Sequence, residues 1–229
     1  MKIGGIQKFS TVDYPGYPCA SIFTIGCNMR CGYCHNPELV LPEQLADTIP
    51  PEDILLFLEK RKDVLAAVTI SGGEPTEQAD LVDFIRQIKA LGYLVKLDTN
   101  GTRPHIIREL LDDKLIDYVA MDIKGPLSKY VAIAARPIDT NAIEQSIALI
   151  KTMPGHEFRT TIVQSQLDVS DFEQIGQLVQ GAKRYALQRF VSQGALVSPQ
   201  FVNAQSFTDT ELASAQRIMS KYVKECVIH

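Results

Sequence analysis

The sequence lacks any apolar run that approaches the roughly 18 residues needed to cross a membrane. Its first residues, Met1 to Gly5, lack the apolar segment of a secretory signal, so we expect a cytoplasmic protein without a membrane partner. An excess of positive charge is also absent, because 23 Lys and Arg residues against 27 Asp and Glu residues give a net charge of −4. Nucleic-acid binding needs a basic surface, so this balance argues against nucleic acid as the main partner.

Strand-like and helix-like patterns alternate along the chain in six strand-then-helix units. The spacing predicts strands at 20–24, 66–70, 94–97, 118–123, 158–163 and 188–192. It predicts helices from Pro51 onwards and at 81–90, 104–111, 141–151, 171–182 and 208–224. Such alternation is typical of an α/β protein with a parallel sheet, either doubly wound or curved towards a barrel. In both cases ligands bind beyond the carboxyl ends of the strands.

The five cysteines are an odd number in a protein expected to be cytoplasmic, where thiols stay reduced. Cys27, Cys31 and Cys34 follow the first predicted strand with the spacing C-x3-C-x2-C. Three thiolates within eight residues can hold one inorganic centre, and soft sulfur selects zinc, copper(I) or iron–sulfur. The remaining two, Cys19 and Cys226, are expected to be packing residues.

Three metal centres fit this spacing. A structural zinc site would use the three thiols with His35 as its fourth ligand. The string Cys31–His35 also satisfies C-x-x-C-H, the attachment motif of c-type haem, but that motif belongs to exported proteins and leaves Cys27 unexplained. A [4Fe–4S] cluster ordinarily takes four cysteines, so three would leave one iron open for a ligand from outside the protein. An open metal position is a feature of catalytic sites.

With Tyr33 as the aromatic residue, C-x3-C-x-aromatic-C is similar to the signature of the radical S-adenosylmethionine (radical SAM) enzymes. The segments 9–16 and 34–39 resemble the activating enzymes of glycyl radical proteins, those of anaerobic ribonucleoside-triphosphate reductase first and those of pyruvate formate-lyase second. The resemblance covers residues 5 to about 165 well. It implies one radical SAM domain over 1–229, with a core at about 18–195 and a C-terminal helix at about 208–224. The implied fold is a partial (β/α)6 TIM-type barrel of parallel strands.

The same resemblance implies an oxidoreductase chemistry. A [4Fe–4S] cluster on Cys27, Cys31 and Cys34 would reductively cleave S-adenosylmethionine to a 5′-deoxyadenosyl radical, which takes a hydrogen atom from a glycine of a partner enzyme. Anaerobic (class III) ribonucleoside-triphosphate reductase is the expected partner, and a flavodoxin or ferredoxin is the expected electron donor. The alternatives are activation of pyruvate formate-lyase or another glycyl radical enzyme, a small-molecule reaction such as that of 7-carboxy-7-deazaguanine synthase, and a non-catalytic zinc protein.

Residues at other strand ends match the family's cofactor motifs. Gly72, Gly73 and Glu74 match a Gly-Gly-Glu motif that holds the methionine part of the cofactor. Asp98 and Thr99 match an Asp-Thr-Asn-Gly motif beside the cofactor, and the resemblance adds a monovalent cation there. The signature aromatic residue, Tyr33, is expected in the same cofactor site.

Strand alternation places Asp122 and Lys124 on one face, and two charges on a buried strand need a partner or a ligand. In the family the matching residues face the cofactor or the incoming glycine, so Lys124 is also a candidate for a catalytic role. Arg159 resembles a family arginine near the cofactor. The sixth strand lacks the histidine found in pyruvate formate-lyase activating enzymes, and Gln193 is the only polar residue of similar reach.

Overall fold

The computed structural model describes residues 1–44 and 47–229. Eight strands occur in these residues: β1 (Ile3–Ser10), β2 (Cys19–Thr24), β3 (Ala67–Gly72), β4 (Leu94–Thr99), β5 (Tyr118–Asp122), β6 (His156–Ile162), β7 (Arg184–Arg189) and β8 (Glu225–Ile228). The same residues form eight α-helices: α1 (Pro37–Val40), α2 (Pro51–Glu59), α3 (Leu81–Ala90), α4 (Pro104–Asp112), α5 (Tyr130–Ala134), α6 (Thr140–Ile150), α7 (Asp171–Leu178) and α8 (Asp209–Met219). No helix in the described ranges has the length and apolar character of a membrane span.

The strands follow their sequence order across the sheet, from β1 to β8. β1 runs antiparallel to β2, whereas β2, β3 and β4 are parallel to one another, as are β6, β7 and β8. Helices connect the successive parallel strands, as parallel pairing requires. The order has two ends, β1 and β8, which agrees with a partial barrel, and the predicted α/β class with parallel strands is confirmed.

The chain divides into two compact units. The first contains residues 1–28, 36–99 and 103–119, and the second contains residues 29–35, 100–102 and 120–229. In the first, α3 buries Leu81, Phe84, Ile85 and Ile88, which recur at the spacing of one helix face. In the second, β6 buries every second residue. The single radical SAM domain over 1–229, with its core at about 18–195, stays a prediction.

The predicted helix at 81–90 coincides with α3, but the helix predicted at 171–182 ends at Leu178, and two further predictions were also wrong in detail. The sixth predicted strand, 188–192, is displaced, since β7 spans Arg184–Arg189. The C-terminal helix, predicted at about 208–224, ends at Met219 and is followed by β8. Both errors have one cause: β7 and β8 pair with each other, Arg184 opposite Glu225 and Leu187 opposite Ile228, and such pairing is not visible in local periodicity. The antiparallel strand β1 was missed for the same reason.

Candidate active site

In the first unit, the turn after β3 packs directly against the chain that leads from β2 to Cys27. A Cβ atom on Gly72 would lie 2.3 Å from the backbone nitrogen of Thr24, and one on Gly73 would lie 2.0 Å from the carbonyl oxygen of Gly26. The Gly73 N–H donates to the Thr24 carbonyl at 2.8 Å. Both glycines are therefore required by the close approach of two backbones. From the sequence, either approach to a ligand or a plain tight turn could account for the glycines.

The Gln78 side chain also binds the segment that leads from β2 to Cys27. Its Nε2 donates to the Ile25 carbonyl at 2.8 Å, and its Oε1 accepts from the Lys2 N–H at 2.9 Å. The Gly26 N–H donates to the Leu39 carbonyl at 2.7 Å. Three separate parts of the chain thus hold the residues just before the first thiol. Sequence reasoning did not identify Gln78, and its spacing carries no signal for this role.

The predicted residues Glu74 and Thr99 lie together in the first unit. Glu74 is 1% exposed, and its Oε1 accepts from the Thr99 hydroxyl at 2.7 Å. The same oxygen accepts from the backbone N–H of Thr76 at 3.1 Å and from its hydroxyl at 2.5 Å. A buried carboxylate needs such donors, and hydrogen bonds to a charged acceptor are the stronger kind. The three bonds fix the position of the Glu74 carboxylate.

Asp98, at the end of β4, forms an ion pair within the first unit. The Lys96 ammonium lies 2.7 Å from Asp98 Oδ1, and the Ser71 hydroxyl donates to Oδ2 at 3.1 Å. Strand alternation places Lys96 and Asp98 on one face. The rule that linked Asp122 with Lys124 also applies here, so the sequence contained a signal for Lys96 that was overlooked.

The second unit contains the rest of the cysteine loop, residues 29–35. All five cysteines lie in described residues, and none of them is in a disulfide. Cys31 is 6% exposed, and the Cys34 N–H donates to its carbonyl at 3.0 Å. Burial raises the pKa of the Cys31 thiol, and the nearby Lys124 ammonium acts in the opposite direction. Cys27 belongs to the first unit, one residue before the boundary at Asn28.

The segment after β7 covers the cysteine loop within the second unit. The Ser198 N–H donates to the Gly32 carbonyl at 2.9 Å, and the Val197 N–H donates to the Cys34 carbonyl at 3.0 Å. A Cβ atom on Gly32 would lie 2.4 Å from the Phe201 ring. This covering segment was missed in the sequence, because its contacts are backbone bonds to a distant loop.

Tyr33 is buried between aromatic rings. Its ring lies edge-on to Phe190, with centroids 6.3 Å apart, and to Phe201, with centroids 6.2 Å apart. Burial raises the pKa of Tyr33 far above its usual value, so the phenol stays neutral. The structure therefore places this predicted cofactor residue in a packing position that holds the loop.

Asp122, Lys124 and Arg159 form a charged triad in the second unit. Arg159 Nε donates to Asp122 Oδ1 at 2.5 Å, and Lys124 Nζ donates to Oδ2 at 3.0 Å. Burial alone would raise the pKa of Asp122, but the two cations outweigh burial and hold it far below its usual value. Burial lowers the pKa of Lys124, and Asp122 more than compensates, so that it lies well above its usual value. The triad thus carries a net positive charge beside Cys31.

Buried hydroxyls bind the backbone next to this triad. The Thr160 hydroxyl lies 2.6 Å from the Ile123 carbonyl and 2.5 Å from the Tyr185 hydroxyl. Because a carbonyl can only accept, Thr160 donates to Ile123, and Tyr185 must donate to Thr160. Tyr130 donates to the Asp122 carbonyl at 3.3 Å. The backbone between the two triad residues is thereby fixed.

The family model described as "Radical SAM superfamily" matches residues 21–179 of the chain. The chain belongs to the radical SAM superfamily. A full-length relative is the Methanocaldococcus jannaschii protein named "Putative glycyl-radical enzyme activating enzyme MJ1227", which is 37% identical over 99% of this chain and 95% of that protein. The resemblance to the activating family is thereby confirmed.

Two further relatives match this radical SAM protein over about half its length. Pyruvate formate-lyase 1-activating enzyme of Escherichia coli is 37% identical over 53% of this chain and 52% of that protein. The 7-carboxy-7-deazaguanine synthase of Methanopyrus kandleri is 33% identical over 49% of this chain and 52% of that protein. The structure of Streptococcus suis SuiB bound to S-adenosylmethionine has a TM-score of 0.67, at 14% identity, over 90% of this chain and 51% of that chain. The likeness to SuiB supports the fold alone.

The residue types of the cysteine loop suit an iron–sulfur cluster, which the radical SAM family implies. His35 Nε2 lies 2.7 Å from the Val191 carbonyl, so Nε2 carries the proton and Nδ1 is the nitrogen left for a metal. In residues 1–44 and 47–229, no three His, Cys, Asp or Glu side chains are grouped to hold a single metal ion, and this applies to the three loop thiols as well as to a zinc set with His35. The three reduced thiols are the usual ligands of iron–sulfur clusters; burial raises the pKa of the Cys31 thiol, and the Lys124 ammonium acts in the opposite direction.

The remaining predicted residues lie apart from these groups. Gln193 is exposed, four residues after the end of β7. Cys19 is fully buried with Tyr14 and Ala67 in the first unit. Cys226 lies in β8, where burial raises the pKa of its thiol to about 12. Cys19 is buried and Cys226 is partly buried, and their role as packing residues stays a prediction.

Proposed function

We propose that this radical SAM protein activates a glycyl radical enzyme, with anaerobic ribonucleoside-triphosphate reductase as the first candidate. The observation that carries the proposal is the pairing of a thiol loop with a net positive triad beside Cys31. Similarity over 99% of the chain to a protein named as an activating enzyme supports the choice of substrate class.

In this proposal Cys27, Cys31 and Cys34 would hold a [4Fe–4S] cluster, which would act together with S-adenosylmethionine. The cluster and cofactor together supply the one-electron chemistry that removes a hydrogen atom which no side-chain base could remove as a proton. The chain itself positions the residues that would hold the cluster. Gln78 and the Gly72–Gly73 turn fix the segment before Cys27.

The predicted binding residues have complementary charges for the cofactor. The Glu74 carboxylate, fixed by Thr76 and Thr99, is suited to accept from an ammonium group. Lys124 and Arg159 keep Asp122 ionised and leave a net positive charge, which is suited to a carboxylate. The amino and carboxylate groups of S-adenosylmethionine provide both charges. These roles, and a catalytic role for Lys124, are part of the proposal.

The electron is proposed to come from a flavodoxin or ferredoxin. Besides the three loop cysteines the sequence has only Cys19 and Cys226, too few for a second cluster of four thiolates. We therefore propose that the reductant approaches from outside the chain.

The decisive experiment is activation of a partner enzyme. The protein is reconstituted anaerobically with iron and sulfide, reduced, and mixed with S-adenosylmethionine and anaerobic ribonucleoside-triphosphate reductase. We expect a brown protein bleached by dithionite and a glycyl radical doublet in the EPR spectrum. Cys31→Ser should give neither, whereas Cys226→Ser should give both. If only pyruvate formate-lyase gives the doublet, the proposed partner is wrong but the proposed activating function stands.

A small-molecule reaction is the second candidate, favoured by the match to the 7-carboxy-7-deazaguanine synthase over 49% of the chain. It predicts 5′-deoxyadenosine from S-adenosylmethionine without any protein radical. A colourless protein with one tightly bound zinc would contradict both radical functions.

A further inference from the structure

Lys96 and Asp98 form a buried ion pair in the first unit. Lys96 is 4% exposed, and its ammonium nitrogen lies 2.7 Å from Asp98 Oδ1. Oδ2 accepts from the Ser71 hydroxyl at 3.1 Å. Both oxygens of the carboxylate therefore already have donors, and the chain itself neutralises the negative charge.

The resemblance of Asp98 and Thr99 to the family motif implies a monovalent cation at this position, and the residues present do not fit one. A metal cation binds a carboxylate through oxygen lone pairs, and its attraction is weakened where another cation already neutralises that carboxylate. Here the Lys96 ammonium occupies one side of the carboxylate and would repel a second cation at close range. The Thr99 hydroxyl is already engaged with Glu74, to which it donates at 2.7 Å.

The surroundings of Lys96 are built for one ammonium group. β3 and β4 pair so that Lys96 lies opposite Thr69, which in turn lies opposite Ser21 on β2. These neighbours are neutral hydroxyls, and they bond to Asp13: Ser21 donates to its Oδ2 at 2.7 Å, and Thr69 donates to its carbonyl at 3.3 Å. Asp98 is thus the carboxylate that compensates the buried lysine.

We propose that the Lys96 ammonium takes the place of the monovalent cation at Asp98, so that this protein binds its cofactor independently of K⁺ and Na⁺. Lys96 is then a positioning residue that acts through Asp98. Its charge allows a carboxylate-bearing cofactor to approach the Asp98 carboxylate without repulsion. The inference rests on the proposed function only in taking S-adenosylmethionine as that cofactor.

The first test measures S-adenosylmethionine affinity of the cluster-loaded protein by isothermal titration. Choline chloride, NaCl and KCl are compared at equal ionic strength. We expect wild-type Kd values within about twofold of one another. Lys96→Met, which keeps most of the stem but removes the charge, should bind about tenfold more weakly in choline chloride and recover in K⁺ or Na⁺. Lys96→Arg should remain independent of the salt, as should Lys62→Met at an exposed lysine.

A second measurement needs neither cluster nor cofactor. The melting temperature of the Lys96→Met apoprotein should rise when K⁺ replaces choline, while that of the wild type should not change. A wild-type affinity that falls more than about threefold without K⁺ would overturn the inference. So would a Lys96→Met protein that loses affinity but is not rescued by any cation, since this is the behaviour of a purely structural lysine. If Lys96→Met does not fold, the wild-type comparison across salts still decides.

These outcomes separate the two proposals. If wild-type protein binds no S-adenosylmethionine, the proposed function fails, whereas the apoprotein melting comparison still tests the cation replacement. If the cofactor binds with strict K⁺ dependence, the proposed function stands and the role of Lys96 fails.

Discussion

The Gln78 side chain donates to the Ile25 carbonyl at 2.8 Å, two residues before the first thiol of the cysteine loop. The same amide accepts from the Lys2 N–H at 2.9 Å, so one side chain ties the N-terminal segment to the entrance of the loop. A residue distant from the chemistry therefore controls where Cys27 stands.

Gln78→Leu should remove both bonds at nearly constant volume. Because a carbonyl left without a partner costs about 1–3 kcal/mol, the melting temperature and the iron bound per chain should both fall. Gln87→Leu is the matched control, since Gln87 is exposed and bonds only within its own helix. Equal iron content in the two variants would contradict a role for Gln78 in holding the loop.

Gly73→Ala should destabilise the protein by about 1–3 kcal/mol or more, because the new methyl group would lie 2.0 Å from the Gly26 carbonyl oxygen. Gly5→Ala serves as the control, since its methyl group would meet its nearest neighbour, Phe23, at an ordinary 3.7 Å. Urea unfolding measures both. A Gly73→Ala protein as stable as Gly5→Ala would mean that the turn after β3 can move.

Thr160→Val should weaken S-adenosylmethionine binding by about tenfold or less while the protein still folds. The change removes the donor to the Ile123 carbonyl, between Asp122 and Lys124, and costs about 1–3 kcal/mol. Titration of the reconstituted protein measures the affinity. Thr161→Val, on the opposite face of β6, should leave it unchanged; a comparable loss there would assign the effect to the strand as a whole.

Stability should fall between about pH 7 and pH 5 because of His156. Burial lowers the pKa of this imidazole below its usual value of 6.5, and Nε2 accepts from the Lys183 N–H while Nδ1 bonds to Met153. The unfolded chain therefore takes up the proton first as the pH falls, which favours unfolding. Melting temperatures across this range should fall less for His156→Gln than for wild type. His105→Gln, at an exposed site, should follow wild type, and identical curves for all three would exclude His156.

Cys31→Ser should abolish the visible absorbance of the reconstituted protein, because it removes a thiolate ligand. Cys226→Ser should keep that absorbance and the cleavage of S-adenosylmethionine, as expected for a thiol in β8. Loss of activity in Cys226→Ser would show that this cysteine does more than fill space.

Much of the chemistry could be predicted from the chain alone, because it depends on residue types at short spacings. The three thiols within eight residues, the glycines before Glu74, and the alternation that pairs Asp122 with Lys124 are all local patterns. Parallel strands separated by helices were predictable for the same reason, since burial on one face imposes a period on the sequence.

Only the tertiary structure decided which groups meet. β8 pairs with β7, Gln78 reaches Ile25 across 53 residues, and Lys96 lies 2.7 Å from Asp98 in a buried ion pair. The bonds behind these findings mostly join positions far apart in sequence, and their geometry depends on how buried polar groups find partners. The sequence by itself determined a thiol centre on an α/β scaffold. The folded chain determined how that centre is held and where its charges are balanced.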